Sequence, residues 1–218
     1  MIQLSVLPWV PPFAQGLVRE LRVRWALEEA GLRYEQRPID QQEQQSPRYR
    51  ARQPFGQVPT YEEQGLVLFE SGAIVLHIAE GAPSLMPSTP DDRARTKSWM
   101  FAALNSVEPC IQNLAELDHF HADKEWAKLR RPELIEVVQA RLATLSGWLQ
   151  GREYLESQFT AADLLMTSVL RILRYTELVL EVPTLEAYRL RCEARPGFQK
   201  AMADHMALFG SVNDVVRC

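Results

Sequence analysis

The feature that most constrains this chain is the change of pattern at Gly81 to Asp92, GAPSLMPSTPDD. Proline has no backbone N–H and a fixed φ, so a stretch holding Pro83, Pro87 and Pro90 extends neither a helix interior nor a sheet ladder. It closes with Thr89-Pro90-Asp91-Asp92: a hydroxyl cap, a proline at the first helical position and two acids where the helix dipole is positive. Before this stretch strand-like and helix-like periods alternate, whereas after it only the helical period is found. The expected organisation is an α/β unit over residues 1–80, a linker over 81–90 and an all-helical domain over 91–218.

In the first part, Ile2 to Leu7 reads as a strand. LVRELRVRWALEEAG reads as a helix with Leu17, Leu21 and Trp25 at helical spacing and Gly31 as its stop. Tyr34 to Pro38 reads as a second strand and Ser46-Pro47 as the start of a short helix. Val58 to Tyr61 and Leu66 to Phe69 flank EEQG as a hairpin, and Ser71 opens a helix running to about Glu80. In the second part Met100, Leu104, Val107, Ile111 and Leu114 form one apolar stripe, in a helix that Pro109 should bend. Ile135, Val138, Leu142, Leu145 and Leu149 form another. Thr160 and Asp163 have the spacing of a capping box, which should fix a buried helix.

Composition and charge narrow the class of partner. At 46% hydrophobic and 24% charged, the chain matches an ordinary folded protein, and it has no apolar run of about 18 residues. The start, MIQLSVLPWV, lacks the basic region and long apolar core of a secretory signal, so a cytoplasmic location is expected. Cys110, Cys192 and Cys218 form no CxxC and are expected to be buried or idle thiols. Residues 1–80 hold eight Arg and ten acids, and the remainder sixteen basic residues and eighteen acids. With no concentrated positive field, neither nucleic acid nor an anionic membrane is an expected partner.

PFGQVPTYEEQGLVLFESGAI, Pro54 to Ile74, carries the chemistry. A trans Val58-Pro59 bond would make Pro59 the plain start of an edge strand. A cis bond would turn the chain and leave the Val58 N–H and C=O outward, free to pair with an extended peptide. Ser71, at a helix start, can offer its hydroxyl and N–H to a carboxylate while Glu70 accepts an ammonium group, or Ser71 can simply cap the helix.

This stretch resembles the cytosolic glutathione transferase family. RVRWALEEAGLRYE (Arg22 to Glu35) is similar to the family's first helix and second strand, GREYLESQFTAADLLMTSVL (Gly151 to Leu170) to its helical core and ARPGFQKAM (Ala194 to Met202) to its late helix. Four such segments in order make the resemblance specific. It implies a thioredoxin-like N-terminal domain with a mixed four-stranded sheet and an all-α C-terminal domain carrying the acceptor site. It further implies glutathione as cosubstrate, a small hydrophobic electrophile as partner, a detoxification role and a homodimer. Carried onto this chain, Pro59 would be cis, Val58 would pair with the cysteinyl part of glutathione, Glu70 and Ser71 would hold the γ-glutamyl ammonium and carboxylate, and Gln57 would touch the tripeptide. Gln53 stands where the family often has asparagine.

One part of the pattern is missing. A free thiol of pKa near 8.5 is only about 3% ionised at pH 7, and lowering that pKa by about two units raises the fraction to roughly 75%. The family lowers it with a tyrosine or serine hydroxyl, or uses a cysteine, after the first strand. Between Ser5 and Tyr34 this chain has no Ser, Thr, Tyr or Cys. Ser5 should lie inside the first strand, too early to serve. The remaining candidates are the backbone N–H groups of Phe13 to Leu17, the indole of Trp9 and the charge of Arg19; in plainer readings Trp9 is a packing residue or a wall of the acceptor site and Arg19 a solvated helix residue. The absent cysteine argues against thiol transferase chemistry. A glutathione-dependent isomerase is an alternative, since RVRWAL resembles the first helix of maleylacetoacetate isomerases; a non-catalytic binding protein on the same fold is another.

Other constellations point nowhere further. His119 and His121 are two apart and face different sides of a helix, so no metal site is expected. Trp99, Phe101 and Trp126 are read as core or as lining for an acceptor pocket, and His77 as packed or at an interface.

Overall fold

A computed structural model describes the backbone of residues 1–215 and the side chains of residues 1–210. Cys218 lies outside the described residues; Cys192 is buried and Cys110 half-buried. The chain forms two compact units, one of residues 1–86 together with the chain from Arg195 onward, the other of residues 87–194.

The first unit is built on a four-stranded sheet: β1 (Ile2–Val6), β2 (Tyr34–Pro38), β3 (Tyr61–Glu63) and β4 (Leu66–Leu68), in the order β2-β1-β3-β4. β1 runs parallel to β2, with Ile2 opposite Tyr34, and antiparallel to β3, with Leu4 opposite Tyr61. The parallel pair needs a crossover, which α1 (Glu20–Glu29) supplies; the antiparallel pair β3 and β4 needs only the turn at Gln64 and Gly65, both at positive φ. α2 (Gln41–Gln45) and α3 (Pro47–Arg50) follow β2, and α4 (Ser71–Glu80) follows β4. Leu4, Val6, Val23, Trp25, Ile74 and Val75 are fully buried among these elements. This is the thioredoxin-like arrangement that the resemblance implied.

Three boundaries differ from the sequence reading. The first helix begins at Glu20, not Leu17, because Pro12–Ala14 forms a separate 3-10 turn. The third strand begins at Tyr61, not Val58, since Pro59 has no N–H to give to a ladder. α10 (Pro196–Val215), assigned by the sequence to the helical domain, packs instead on α1. There Phe198 meets Trp25 edge-on at 4.8 Å, and Arg195 donates to both carboxylate oxygens of Glu29 at 2.8 and 2.7 Å.

The second unit is helical: α5 (Pro90–Phe101), α6 (Glu108–Phe120), α7 (Glu125–Leu149), α8 (Ala161–Leu170) and α9 (Pro183–Glu193). Thr89 caps α5, accepting the Asp92 N–H at 3.2 Å. The expected disturbance near Pro109 is a widened π turn over Ala102–Val107, which joins α5 to α6. α8 is buried from Ala161 to Thr167, and the expected capping box starts it. Of the aromatic residues considered for a pocket, Phe101 and Trp126 are exposed, while Trp99 meets Trp148 at a tilt, their rings 5.1 Å apart. No described helix is long and apolar enough to cross a membrane.

Candidate functional site

The Val58-Pro59 bond is cis. Among the described residues, neither the N–H nor the C=O of Val58 takes a hydrogen bond, although the peptides on both sides are held. The Gln57 carbonyl accepts the Tyr49 hydroxyl at 2.6 Å, and the Thr60 N–H donates to Ser5 Oγ at 2.6 Å. Tyr49 is carried into the interior by α3, whose cap Ser46 accepts the Tyr49 N–H at 3.1 Å. Burial pushes the Tyr49 hydroxyl pKa above its ordinary value, so it remains a donor.

Hairpin register decides what faces this segment. Tyr61 lies opposite Leu68, so the residues just before β3 and those just after β4 emerge at the same end. That end holds Val58, Pro59 and Thr60 on one side and Phe69, Glu70 and Ser71 on the other, with the rings of Phe55 and Phe69 6.3 Å apart. Glu70 occupies the cap position of α4 at φ 67°, a left-handed conformation that costs a non-glycine residue about 1–3 kcal/mol and concentrates at functional sites. Its side chain is exposed and makes no cap bond. The N–H groups of Ser71, Gly72 and Ala73 accordingly have no acceptor among the described residues. Ser71 is 5% exposed and is the first helical residue, not the cap. The Arg22 guanidinium, also 5% exposed, donates to Ser71 Oγ at 3.5 Å. A main-chain edge, a carboxylate and a helix start backed by a cation can together receive an extended zwitterion.

Gln57 is exposed beside this arrangement, and Arg19 is exposed at the start of α1. Trp9, at 60% exposure, is not a packing residue. Ser5 lies inside β1 as expected, its hydroxyl already engaged. Four of the expected loop donors, the N–H groups of Ala14 to Leu17, are engaged by the protein itself. The Ala14, Gln15 and Leu17 N–H groups bond to Pro11, Pro12 and Ala14 carbonyls at 2.8, 3.3 and 2.9 Å, and the Gly16 N–H goes to His205 Nε2 at 2.9 Å. The loop folds onto itself for three of these groups and His205 takes the fourth, so none of the four is left open for a ligand. Sequence reasoning missed Tyr49, Arg22 and His205, whose partners lie 8 to 189 residues away. No cluster of metal-ligating side chains is found among the described residues.

Residues 15–80 match the family model "Glutathione S-transferase, N-terminal domain". "Glutathione S-transferase 4" from Zea mays is 31% identical over 198 residues, 82% of this chain and 85% of that one. A "Maleylacetoacetate isomerase" from Rhizobium meliloti is 30% identical over 195 residues, 84% of this chain and 90% of that one. The crystal structure of glutathione transferase F7 from Populus trichocarpa superposes with a TM-score of 0.80 at 26% identity, covering 94% of this chain and 99% of that one. The chain belongs to the glutathione S-transferase family.

Proposed function

We propose that the protein binds glutathione at the Val58-Pro59 and Glu70-Ser71 end of the hairpin and transfers it to small hydrophobic electrophiles, working as a homodimer. The observation that carries this reading is the bare main chain of Val58 lying at the same hairpin end as the open start of α4. The cysteinyl backbone pairs with Val58, Glu70 takes the γ-glutamyl ammonium, and Ser71 with the first N–H groups of α4 takes its carboxylate, with Gln57 at the rim. The thiol gives its proton to solvent and the thiolate sulfur forms a bond to the electrophilic carbon, while either that carbon's bond to a leaving group breaks and the leaving group departs with the electron pair, or the carbon's π bond opens and the adjacent atom takes a proton. Holding the thiol removes most of the cost of the encounter.

The test is a thermal shift with glutathione. A rise in melting temperature at millimolar glutathione, reduced at least about ten-fold in apparent affinity by Ser71→Ala, is expected; no shift in the unmodified protein overturns the reading. A second reading, a binding protein without transferase activity, is favoured by the commitment of the Ala14 to Leu17 donors elsewhere. Ultraviolet difference absorbance of bound glutathione separates the two: an activated thiol ionises below pH 7, whereas an idle one titrates near its free value.

A further inference from the structure

Three hydroxyl-linked contacts surround the proposed cysteinyl-binding segment, and their directions can be read from donor chemistry. The Gln57 carbonyl can only accept, so Tyr49 gives it its proton across 2.6 Å. Tyr49 then has no proton for Ser5 Oγ, 3.0 Å away, and Ser5 must be the donor in that pair. Ser5 Oγ in turn accepts the Thr60 N–H at 2.6 Å. The result is a one-way chain, Thr60 N–H to Ser5 to Tyr49 to the Gln57 carbonyl, in which each bond polarises the next.

Peptide planarity gives this chain a consequence at the site. The Gln57 carbonyl and the Val58 N–H belong to one trans peptide unit, so they point in opposite directions. Drawing the carbonyl inward to Tyr49 turns the Val58 N–H outward. The Thr60 N–H is likewise opposed to the Pro59 carbonyl, so Ser5 orients the peptide after Pro59 as Tyr49 orients the one before Val58. Ser5 N–H also donates to the Thr60 carbonyl at 3.0 Å, anchoring the same segment to β1.

We propose that Tyr49, held in turn by the Ser5 hydroxyl, is the positioning residue that aims the Val58 N–H at the ligand backbone. This rests on the glutathione reading above and deepens it. Neither side chain touches the ligand; each acts by removing the freedom of a peptide plane that the ligand must otherwise order.

Tyr49→Phe deletes one oxygen while keeping the buried ring. By calorimetric titration, its glutathione dissociation constant is expected to rise about five- to ten-fold, the size of one ordered main-chain hydrogen bond. kcat at saturating glutathione and the KM for a model electrophile such as 1-chloro-2,4-dinitrobenzene should stay within about two-fold. Ser5→Ala should weaken glutathione binding similarly, and the double variant should lose less than the two single effects combined, since one chain is broken in each case. A merely structural role would lower melting temperature and leave the glutathione affinity of the folded protein unchanged; that result, in either single variant, overturns the inference. Failure of the unmodified protein to bind glutathione overturns the functional reading and this inference with it, whereas binding with equal affinity in all three variants overturns the inference alone.

Discussion

Each unit buries a polar network around one carboxylate, Asp163 in the helical unit and Glu20 in the α/β unit, and the two are satisfied to different degrees. In the helical unit the Asp163 carboxylate accepts from the Leu155 and Thr160 N–H groups at 2.8 and 2.9 Å, from the Tyr188 hydroxyl at 3.0 Å and from Thr160 Oγ1 at 3.2 Å. In the α/β unit the Glu20 carboxylate accepts from His205 Nδ1 at 2.7 Å and lies 4.0 Å from Arg24 Nε, while Glu20 Oε2 and Arg24 Nε have no hydrogen-bond partner among the described residues. Since His205 Nε2 accepts the Gly16 N–H, the ring proton sits on Nδ1. Both oxygens of Asp163 have partners and its bonds span at most 25 residues, whereas His205 reaches Glu20 across 185. A network made of neighbours can satisfy every atom; one assembled between distant helices leaves some atoms short.

That contrast can be broken by mutation. Asp163→Ala strands two buried N–H groups and the Tyr188 hydroxyl, and should cost about 3–5 kcal/mol in urea unfolding. His205→Ala strands the Gly16 N–H and removes the ring that meets Phe209 at 4.9 Å, for an expected loss of about 2–3 kcal/mol. Thr160→Ala removes the cap bond to the Ala162 N–H and the hydroxyl's bond to Asp163, together worth about 1–2 kcal/mol.

A pH series sharpens the same comparison. Burial raises the Asp163 pKa, opposed by the bonds to its carboxylate. The folded form therefore holds its proton to higher pH than the unfolded chain does. This contribution to stability is fully present below the unfolded value near 4, declines as pH rises to the raised folded value and is flat above it. The stability of the unmodified protein relative to Asp163→Asn should fall across that window; an unchanged difference would mean that burial does not govern this carboxyl group.

What the sequence made readable follows the range of the forces involved. β2 and α4 occur at the expected residues, and the Thr89, Ser46 and Thr160 caps all formed, because each depends on a few consecutive side chains. The cis Val58-Pro59 bond and the juxtaposition with Ser71 came from resemblance, and the hairpin register supplies their proximity. α2 went unseen because QQEQQ has no apolar period; Asp40, which accepts the Glu43 N–H at 2.7 Å, was its one local signal. Tyr49 was invisible as a partner of Gln57, and Ser5 as a partner of Thr60, since only tertiary packing brings them together.

The placement of α10 sets an order of manufacture. The side chains that shield Trp25 and grip the Gly16 turn lie beyond residue 194, so a ribosome must make the whole of residues 87–194 before it makes them. The unit begun first is therefore finished last. A nascent chain halted at Ala194 would carry a helical unit with all of its own residues and an α/β unit still lacking its final wall.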